Sequence, residues 1–466
     1  MSFLNELEKY SANIAIITEQ SKQISYKELL DAADSIGSRI KKRCLVFAVC
    51  RNCFESVAGY IGFMRAGAVL ALISDTIDNI RFANLLEAYK PEYIYLPSEK
   101  SGIEINCTTV FSYGSYTLLK TDCKTGYTLH DDLALLLSTS GSTGSQKLVR
   151  QSYRNISSNA EAIAQYLEIT GVDRSITTMP MSYTYKLSII NSHLLQGASI
   201  ILTEATLMER CFWETVKENN TTTFGGVPYV YEMLKKLRFG QMNLPSLEYI
   251  TQAGGKLSRE LSVEFADICE QKGIRFYVMY GQTEATARMS YLPWEYAREK
   301  AGSIGIAIPG GEFWLEDEKG NVVDESDTQG ELVYKGDNVT LGYAENCFDL
   351  SKGDENGGIL YTGDVAKRDK DGFYYIVGRK KRFLKMFGHR VSLDEVEQLV
   401  RAAGNDCACA GTDDNMKIYV TTLDNEGRLR SYIAECTGIN QSGFTIEHIE
   451  KIPRNESGKV LYSALN

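Results

Sequence analysis

The feature that most constrains the fold is a repeated alternation of short apolar runs and amphipathic helical patterns between the N-terminus and about Tyr280. CLVFAVC (44–50) and LALLLS (133–138) are short and continuously apolar, as in strands buried on both faces of a parallel sheet. SYKELLDAADSIGSRI (25–40) instead repeats apolar residues three and four positions apart, which predicts a helix with one buried face. Strands that alternate with helices predict an α/β fold with mixed, largely parallel sheets flanked by helices.

The pattern changes near Gly305, where short strand-like runs are joined by Gly- and Asp-rich turns. GELVYKGDNVTLGY (330–343) and GFYYIVGRKKRFLKMFGHRV (372–391) are typical of antiparallel sheet and predict a small antiparallel, barrel-like part. A charged cluster at Arg379 is followed by a compact tail with helix and strand patterns. We therefore predict two domains, residues 1–378 and a small α+β domain of residues 379–466.

Composition narrows the class of protein. The chain has 466 residues, 44% of them hydrophobic, so a disordered or fibrous chain is excluded. A net charge of −10 argues against nucleic acid as the main partner. We see no signal peptide and no apolar run of the ~18 residues that a membrane span requires. The 11 cysteines are scattered and, with only four His, favour reduced thiols in a cytoplasmic protein over a zinc site.

One loop indicates a ligand. After LALLL, eight consecutive Ser, Thr and Gly residues (138–145) precede Lys147, and a helical pattern follows. Hydroxyls, glycine N–H groups and the lysine together can cradle phosphate oxygens. The loop is not a Walker A motif, because it lacks the adjacent Gly-Lys-Ser/Thr. Taken alone, it is also compatible with a flexible linker.

The loop resembles the phosphate loop of the adenylate-forming superfamily, which comprises acyl-CoA synthetases, adenylation domains of nonribosomal peptide synthetases, and luciferases. Its pattern is Thr-Ser-Gly-Thr-Thr-Gly-x-Pro-Lys-Gly, from which this chain departs at Ser142, Gln146 and Leu148. Losing the proline and the last glycine changes the stiffness of the loop but keeps its polar groups. The resemblance implies that ATP is bound here by Thr139, Ser140, Gly141, Ser142, Thr143, Gly144 and Lys147.

A second motif, YGQTEAT (280–286), is similar to the family's Tyr-Gly-x-Thr-Glu. The resemblance implies that Tyr280 stacks on adenine, with Gly281 and Gln282 beside it. It further implies that Thr283 touches the phosphate and the acyl carbonyl and that Glu284 holds magnesium.

The remaining motifs follow in the family's order along the chain. In YTGD, Asp364 is expected to bind the ribose hydroxyls, and in GRKKRFLK, Arg379 is expected near the ribose. The hinge position, an aspartate in many members, is Lys381 here. PRNESGKV matches the C-terminal lysine motif and implies a catalytic role for Lys459.

The implied reaction is ATP-dependent activation of a small carboxylic acid to an acyl-adenylate, with release of pyrophosphate and transfer to a thiol. Lys459, Thr283 and Glu284 would be catalytic, and no side-chain base is needed because the acid is already ionised at neutral pH. The thiol is expected on CoA or on the phosphopantetheine of a separate acyl carrier protein. The C-terminal domain is expected to act as a mobile lid. The alternatives are an amino-acid adenylation enzyme that loads a carrier protein and a non-catalytic ATP-binding homologue.

Substrate choice is expected to depend on the segment PMSYTYKLS (180–188). Amino-acid-activating relatives carry an aspartate here that pairs with the substrate's ammonium group, and alignment places Thr184 at that position. A neutral hydroxyl cannot compensate a buried ammonium, so a substrate without an α-amino group is predicted. Lys186 either meets a second acidic group on the substrate or, like most lysines, faces solvent. The predicted acyl pocket comprises Tyr183, Thr184, Gly225, Gly226, Gly254 and Gly255.

Overall fold

The computed structural model describes residues 3–101, 106–123, 126–138, 147–386, 389–422, 426–437, 439–454 and 460–465. The strands up to residue 226 are β1 (Ile14–Ile17), β2 (Gln23–Ser25), β3 (Leu45–Cys50), β4 (Val69–Ser74), β5 (Tyr93–Pro97), β6 (Cys107–Tyr113), β7 (Tyr116–Thr121), β8 (Leu133–Ser138), β9 (Leu148–Ser152), β10 (Arg174–Ile176), β11 (Ser199–Ile201) and β12 (Thr223–Gly226). The later strands are β13 (Tyr249–Gln252), β14 (Arg275–Tyr280), β15 (Ser290–Leu292), β16 (Ile306–Ala307), β17 (Glu312–Glu316), β18 (Gln329–Lys335), β19 (Gly342–Ala344), β20 (Ile359–Arg368), β21 (Tyr374–Arg379), β22 (Phe383–Met386), β23 (His389–Ser392), β24 (Cys407–Thr412), β25 (Asn415–Val420) and β26 (Phe444–His448). The α-helices are α1 (Tyr26–Gly37), α2 (Phe54–Arg65), α3 (Asn79–Tyr89), α4 (Tyr153–Leu167), α5 (Thr184–Leu195), α6 (Arg210–Glu218), α7 (Pro228–Lys236), α8 (Arg259–Lys272), α9 (Leu393–Ala402) and α10 (Glu426–Thr437).

The chain forms two compact units. Unit 1 comprises Met1–Gly302, Ala307–Glu312 and Lys335–Leu360, and unit 2 comprises Ser303–Ile306, Phe313–Tyr334 and Tyr361–Asn466. Unit 2 therefore includes antiparallel strands that precede Arg379. The predicted division into a 1–378 domain and a 379–466 lid stays a prediction about how the chain moves.

Two large sheets build unit 1. One follows the order β16-β15-β14-β13-β12-β10-β11-β1-β2, and its centre, from β14 to β1, is parallel. The other follows the order β19-β9-β8-β4-β3-β5-β7-β6 and is parallel from β8 to β5. Antiparallel strands flank both parallel centres. This arrangement confirms the predicted α/β class.

The helices predicted from periodicity form with their apolar faces inside. The pattern at 25–40 gives α1, whose Leu29, Ala33 and Ile36 are buried. Ser25 begins this helix with a capping box: its hydroxyl accepts from the Glu28 N–H, and the Glu28 carboxylate accepts from the Ser25 N–H. The apolar side of the helix packs against α2 and the neighbouring strands in one continuous core.

The segment after the Ser/Thr/Gly loop differs from the expectation. The sequence predicted that the loop leads from strand to helix, but β9 comes first and pairs antiparallel with β8. All five residues of β9 are buried, including Arg150 and Gln151. The sequence did not predict this strand because Arg150 and Gln151 are polar, and their burial depends on partners from distant segments. The loop therefore connects two adjacent strands rather than preceding a helix directly.

Unit 2 is built from smaller sheets. Strands β17, β18, β20 and β21 form a four-stranded sheet, β22 pairs with β23, and β24, β25 and β26 form a three-stranded sheet. Helices α9 and α10 share an apolar core with the three-stranded sheet, which is the α+β pattern expected for the C-terminal part. Across the described residues, no helix combines the length and apolar character needed to cross a membrane.

Candidate functional site

Three residues from distant parts of the sequence meet in unit 1. The Lys147 Nζ lies 3.7 Å from the centre of the Tyr343 ring, which is cation–π distance. The Tyr343 hydroxyl donates to Glu284 Oε1 at 2.6 Å. Burial, and then the Glu284 carboxylate, raise the pKa of Tyr343, so the phenol keeps its proton at neutral pH. A single tyrosine thus connects the lysine of the loop with the glutamate of the YGQTEAT motif.

The backbone of YGQTEAT turns back on itself directly after β14. A Cβ added at Gly281 would lie 1.7 Å from the Ala287 carbonyl oxygen, so only glycine fits. Thr286 has φ +55° and Ala287 has φ +108°, conformations that residues with a side chain rarely adopt. Hydrogen bonds fix the turn, including Met289 N to Tyr280 O at 2.9 Å. Such strain persists only where the surroundings enforce one geometry, as at binding sites.

Asn338 holds this strained turn from outside. Its side-chain amide donates to the Ala285 and Arg288 carbonyls at 2.8 and 3.0 Å, and its backbone carbonyl accepts from the Thr286 hydroxyl at 2.8 Å. Gln151 donates to the Thr283 carbonyl at 3.3 Å. Two buried side-chain amides, those of Asn338 and Gln151, therefore hold the turn that contains Thr283 and Glu284.

The surroundings of Lys147 form an open, polar cavity of about 410 Å³. Arg150, fully buried, holds its wall: it donates to the carbonyls of Tyr343 at 3.0 Å and Leu341 at 2.7 Å and pairs with Glu355 at 2.5 Å. Other residues that line the cavity are Gly342, Glu345, Asn346, Asp349, Lys352 and Asn356. The cavity is large enough for the polar part of a nucleotide-sized ligand.

The predicted acyl-pocket residues lie around the start of α5. Tyr183 precedes the helix, and burial raises its pKa to about 12. Thr184 is the first helical residue and lines a small polar cavity with Asn159, Ser188 and Thr286. Among the described residues that line this cavity, none carries a carboxylate; the others are Gln151, Ile156, Ala160, Leu187 and Asn191.

The four predicted pocket glycines lie close to bulky side chains. A Cβ at Gly225 would lie 2.6 Å from the Tyr185 hydroxyl, and one at Gly254 would lie 2.6 Å from the Tyr183 hydroxyl. The corresponding contacts are Val230 at 2.5 Å for Gly226 and Pro228 at 3.1 Å for Gly255. The glycines thus let the two tyrosines approach closely. Room for an acyl chain beside them remains a prediction.

Lys186 corrects one expectation. It is 1% exposed, so the solvent-facing alternative is wrong, and burial lowers its pKa well below the usual value. Within the part of the chain that the structure describes, its Nζ has no hydrogen-bond partner. The sequence offered no sign of this, because the burial of Lys186 depends on elements distant in the chain, chiefly α4, that pack against α5.

In unit 2 the structure brings the two predicted ribose-binding residues together. Asp364 in β20 is the register partner of Arg379 in β21, and the Arg379 Nε lies 3.3 Å from Asp364 Oδ1. Asp364 is buried, and Arg379 is exposed. Lys381, the predicted hinge, lies in the short turn Lys380–Arg382 that follows β21.

Two groups of predicted residues lie outside the described residues. They are the loop residues Thr139, Ser140, Gly141, Ser142, Thr143 and Gly144, and the C-terminal Lys459. Tyr280 ends β14, and Gln282 donates to the Tyr280 hydroxyl at 3.2 Å. Sequence reasoning missed Tyr343, Asn338, Arg150 and Arg288. Tyr343 and Asn338 had a signal, because both lie in GELVYKGDNVTLGY (330–343), which the sequence predicts only as antiparallel sheet.

Comparison with known proteins gives a consistent result. The sequence profile of the family described as AMP-binding enzyme matches residues 3–344. Oxalate–CoA ligase of Arabidopsis thaliana is 30% identical over 275 residues, which cover 58% of this chain and 52% of that protein. The 2-succinylbenzoate–CoA ligase of Geobacillus sp. is 28% identical over 352 residues, 71% of this chain and 68% of its own. The chain thus spans about half of the first relative and about two thirds of the second.

Solved structures share the fold over the whole chain. The o-succinylbenzoate CoA synthetase (MenE) of Bacillus subtilis, in complex with the acyl-adenylate OSB-AMP, has a TM-score of 0.80 at 21% identity. That alignment covers 100% of this chain and 98% of the synthetase. ATP-bound MatB of Rhodopseudomonas palustris has a TM-score of 0.79 at 20% identity, with coverage of 100% and 98%.

Proposed function

The chain belongs to the AMP-binding enzyme family, and from that premise we propose that it activates a small carboxylic acid with ATP. The products of the first step are an acyl-adenylate and pyrophosphate, and the acyl group then passes to the thiol of coenzyme A. The relatives named above support this proposal, because each is a CoA ligase. A carrier-protein phosphopantetheine is the alternative acceptor.

The observation that carries the proposal is the contact series from Lys147 through Tyr343 to Glu284. In-line attack of a carboxylate on a phosphate requires groups that neutralise negative charge and hold the reactants in place. Lys147 and the residues Thr139, Ser140, Gly141, Ser142, Thr143 and Gly144 would bind the phosphates. Thr283 would contact the phosphate and acyl carbonyl, and Tyr280, Gly281 and Gln282 would contact the base.

The residues present fit a magnesium ion that arrives with ATP. Among the described residues, no cluster of three or more His, Cys, Asp or Glu side chains could hold a metal by itself. Magnesium usually binds through one or two carboxylates together with substrate phosphates and water. Glu284 offers one such carboxylate, and the Tyr343 hydroxyl fixes its orientation. The ion would add to the neutralisation of the triphosphate.

The remaining roles follow from the same reaction. Asp364 would accept hydrogen bonds from the ribose hydroxyls, and the ion pair with Arg379 would orient its carboxylate. Lys459 would contact the reacting carboxylate and phosphate, with Lys381 as the hinge of a mobile lid. All eleven cysteines are free thiols, which supports a reducing, cytoplasmic location.

Isotope exchange between ATP and pyrophosphate in the presence of carboxylic acids tests the proposal. We expect exchange with at least one acid and a loss of about 10²- to 10³-fold in Glu284→Gln. Tyr343→Phe should lose less, because it keeps the carboxylate and removes only the group that orients it. Glu87→Gln, an exposed change on α3, is the matched control. A wild-type protein that binds ATP but exchanges with no acid would instead be a non-catalytic homologue.

The two half-reactions can be separated at Lys459. Lys459→Ala should slow adenylate formation by a few orders of magnitude and spare thioester formation from a pre-made adenylate. Equal losses in both steps would contradict the proposed lid. Exchange with a free amino acid, but not with its des-amino analogue, would favour the amino-acid adenylation alternative and overturn the interpretation of Thr184.

A further inference from the structure

A buried arginine follows the strained turn of the YGQTEAT motif. Arg288 is 2% exposed, and the partners of its guanidinium among the described residues are uncharged. Its Nε donates to Ser188 Oγ at 3.1 Å, and its Nη1 donates to the Tyr166 hydroxyl at 3.0 Å and to Met279 Sδ at 3.1 Å. The guanidinium carbon lies 5.0 Å from the centre of the Tyr185 ring.

This charge has no counter-ion among the residues that the structure describes. Arginine stays protonated in proteins, so burial cannot remove the charge as it can for lysine. The buried carboxylate of Asp173 accepts from Thr170 N at 2.8 Å and from the Thr222 hydroxyl at 3.0 Å instead. An uncompensated buried charge is costly, and proteins keep one chiefly where a ligand supplies the opposite charge.

The position of Arg288 relates it to the predicted acyl pocket. Its partner Ser188 lines the small polar cavity that also involves Thr184 and Thr286. Asn159 lines this cavity too: its Nδ2 donates to the Arg288 carbonyl at 2.8 Å, while its Oδ1 is buried without a partner among the described residues. An unpaired cation and an unused acceptor therefore lie beside the motif that is proposed to activate the carboxylate.

We propose that Arg288 recognises a second carboxylate on the substrate, so that the enzyme activates a dicarboxylic acid at one end and binds the other end through this guanidinium. The inference rests on the proposed function and extends it to a substrate class. Arginine is suited to the role because it stays charged when buried, and because its Nη2 keeps two N–H groups for a carboxylate oxygen while Nε and Nη1 donate to Ser188, Tyr166 and Met279. The same cation disfavours a substrate ammonium, in agreement with the neutral Thr184.

The experiment compares each dicarboxylic acid with its monoamide, which keeps the length and removes one charge. ATP–pyrophosphate exchange is measured with oxalate, malonate, succinate, glutarate and phthalate and with the five monoamides. We expect at least one diacid to exceed its monoamide by about 10- to 100-fold in kcat/KM, the effect of one charged hydrogen-bonded contact. Equal or better use of the monoamides would overturn the inference and leave the proposed function intact. Absence of exchange with any acid would overturn both.

Variants locate the preference at Arg288. In Arg288→Gln the ratio of diacid to monoamide should fall towards one, chiefly through a higher KM for the diacid, and Arg288→Lys should recover part of it. The matched control is Arg275→Gln at the start of β14, whose guanidinium is already paired with Glu168 at 2.7 Å. It should leave the ratio unchanged. If Arg288→Gln does not fold, the diacid-to-monoamide ratio of Arg288→Lys, compared with that of the wild type, still tests the role of Arg288. A wild-type ratio retained in either Arg288 variant as fully as in the control would assign Arg288 a structural role only.

Discussion

Buried charge has different partners in two regions of the molecule, the C-terminal part of unit 2 and the surroundings of α5 in unit 1. In unit 2, Arg382 Nη2 pairs with Glu397 Oε1 at 2.5 Å, and its Nε pairs with Asp394 Oδ1 at 2.6 Å. The partly exposed Arg401 reaches the other oxygen of Glu397 at 3.2 Å. Around α5 in unit 1, Lys186, His193 and Arg288 are all buried, and none of them contacts a carboxylate among the described residues. We call these sets the C-terminal ion-pair cluster and the α5 basic cluster.

This difference in partners distinguishes charges that stabilise the fold from charges that are available to a ligand. In the C-terminal cluster every charge has a protein partner, and Glu397 also accepts from Cys409 N at 2.8 Å and from the Tyr462 hydroxyl at 3.1 Å. Burial nevertheless raises the pKa of Glu397, and the guanidinium groups of Arg382 and Arg401 oppose this rise. The residues of the α5 basic cluster have no carboxylate partners of this kind among the described residues. Protein partners indicate a structural role, and their absence indicates a ligand or a cost to folding.

The largest expected effect is in the C-terminal ion-pair cluster. Glu397→Ala should cost about 3–5 kcal/mol of unfolding free energy, because Arg382 and Arg401 both lose the buried carboxylate that they contact. Hydrogen exchange of the β24 amides measures this loss within unit 2. In the control, Glu447→Ala removes an exposed pair with Lys417 at 3.9 Å and should cost at most about 1 kcal/mol. Similar losses in both variants would mean that the buried ion pairs of Glu397 stabilise unit 2 no more than an exposed pair does.

The next effect is a pH dependence from His193. Burial lowers its pKa to about 4, while Asp173 opposes the shift and Arg288 and Lys186 add to it. The unfolded chain takes up this proton near pH 6.5, so the stabilising contribution is present above that pH and is lost as the pH falls through about 4. The loss amounts to roughly 3 kcal/mol.

His193→Gln tests this dependence. The variant keeps the size and polarity needed for the 2.8 Å contact with the Ile189 carbonyl, so its unfolding free energy should fall less between pH 7 and pH 4. Denaturant titrations at both values measure the difference from the wild type, which removes the contribution of all other titrating groups. His130→Gln, at a partly exposed position, is the control. Parallel pH profiles for His193→Gln and the wild type would contradict the assignment.

The sequence predicted elements well where periodicity determines burial, as for β8 and α1. That Glu284 and Lys147 serve one site stays a prediction from two locally encoded motifs, and the contacts of both side chains with Tyr343 agree with it. It could not predict β9, whose polar Arg150 and Gln151 are buried through partners at residues 283–355. For the same reason the sequence did not predict either charged cluster. Arg382 and Glu397 are 15 positions apart, and the identity of a charged residue does not indicate whether it is buried.

The smallest expected effect concerns Lys186, where the substitution should raise the unfolding free energy rather than lower it. Because burial lowers its pKa, the unfolded chain binds a proton that the folded chain excludes, and stability rises with pH from the folded pKa up to about 10.4. Lys186→Met keeps the apolar stem and removes an amine that lacks a partner among the described residues. We expect a gain of about 1–3 kcal/mol at pH 7 and a flatter rise towards alkaline pH. Lys217→Met on the exposed side of α6 should change neither quantity by more than about 0.5 kcal/mol. A loss of stability in Lys186→Met would mean that its amine is compensated after all, and the contrast between the two clusters would then rest on Arg288 and His193 alone.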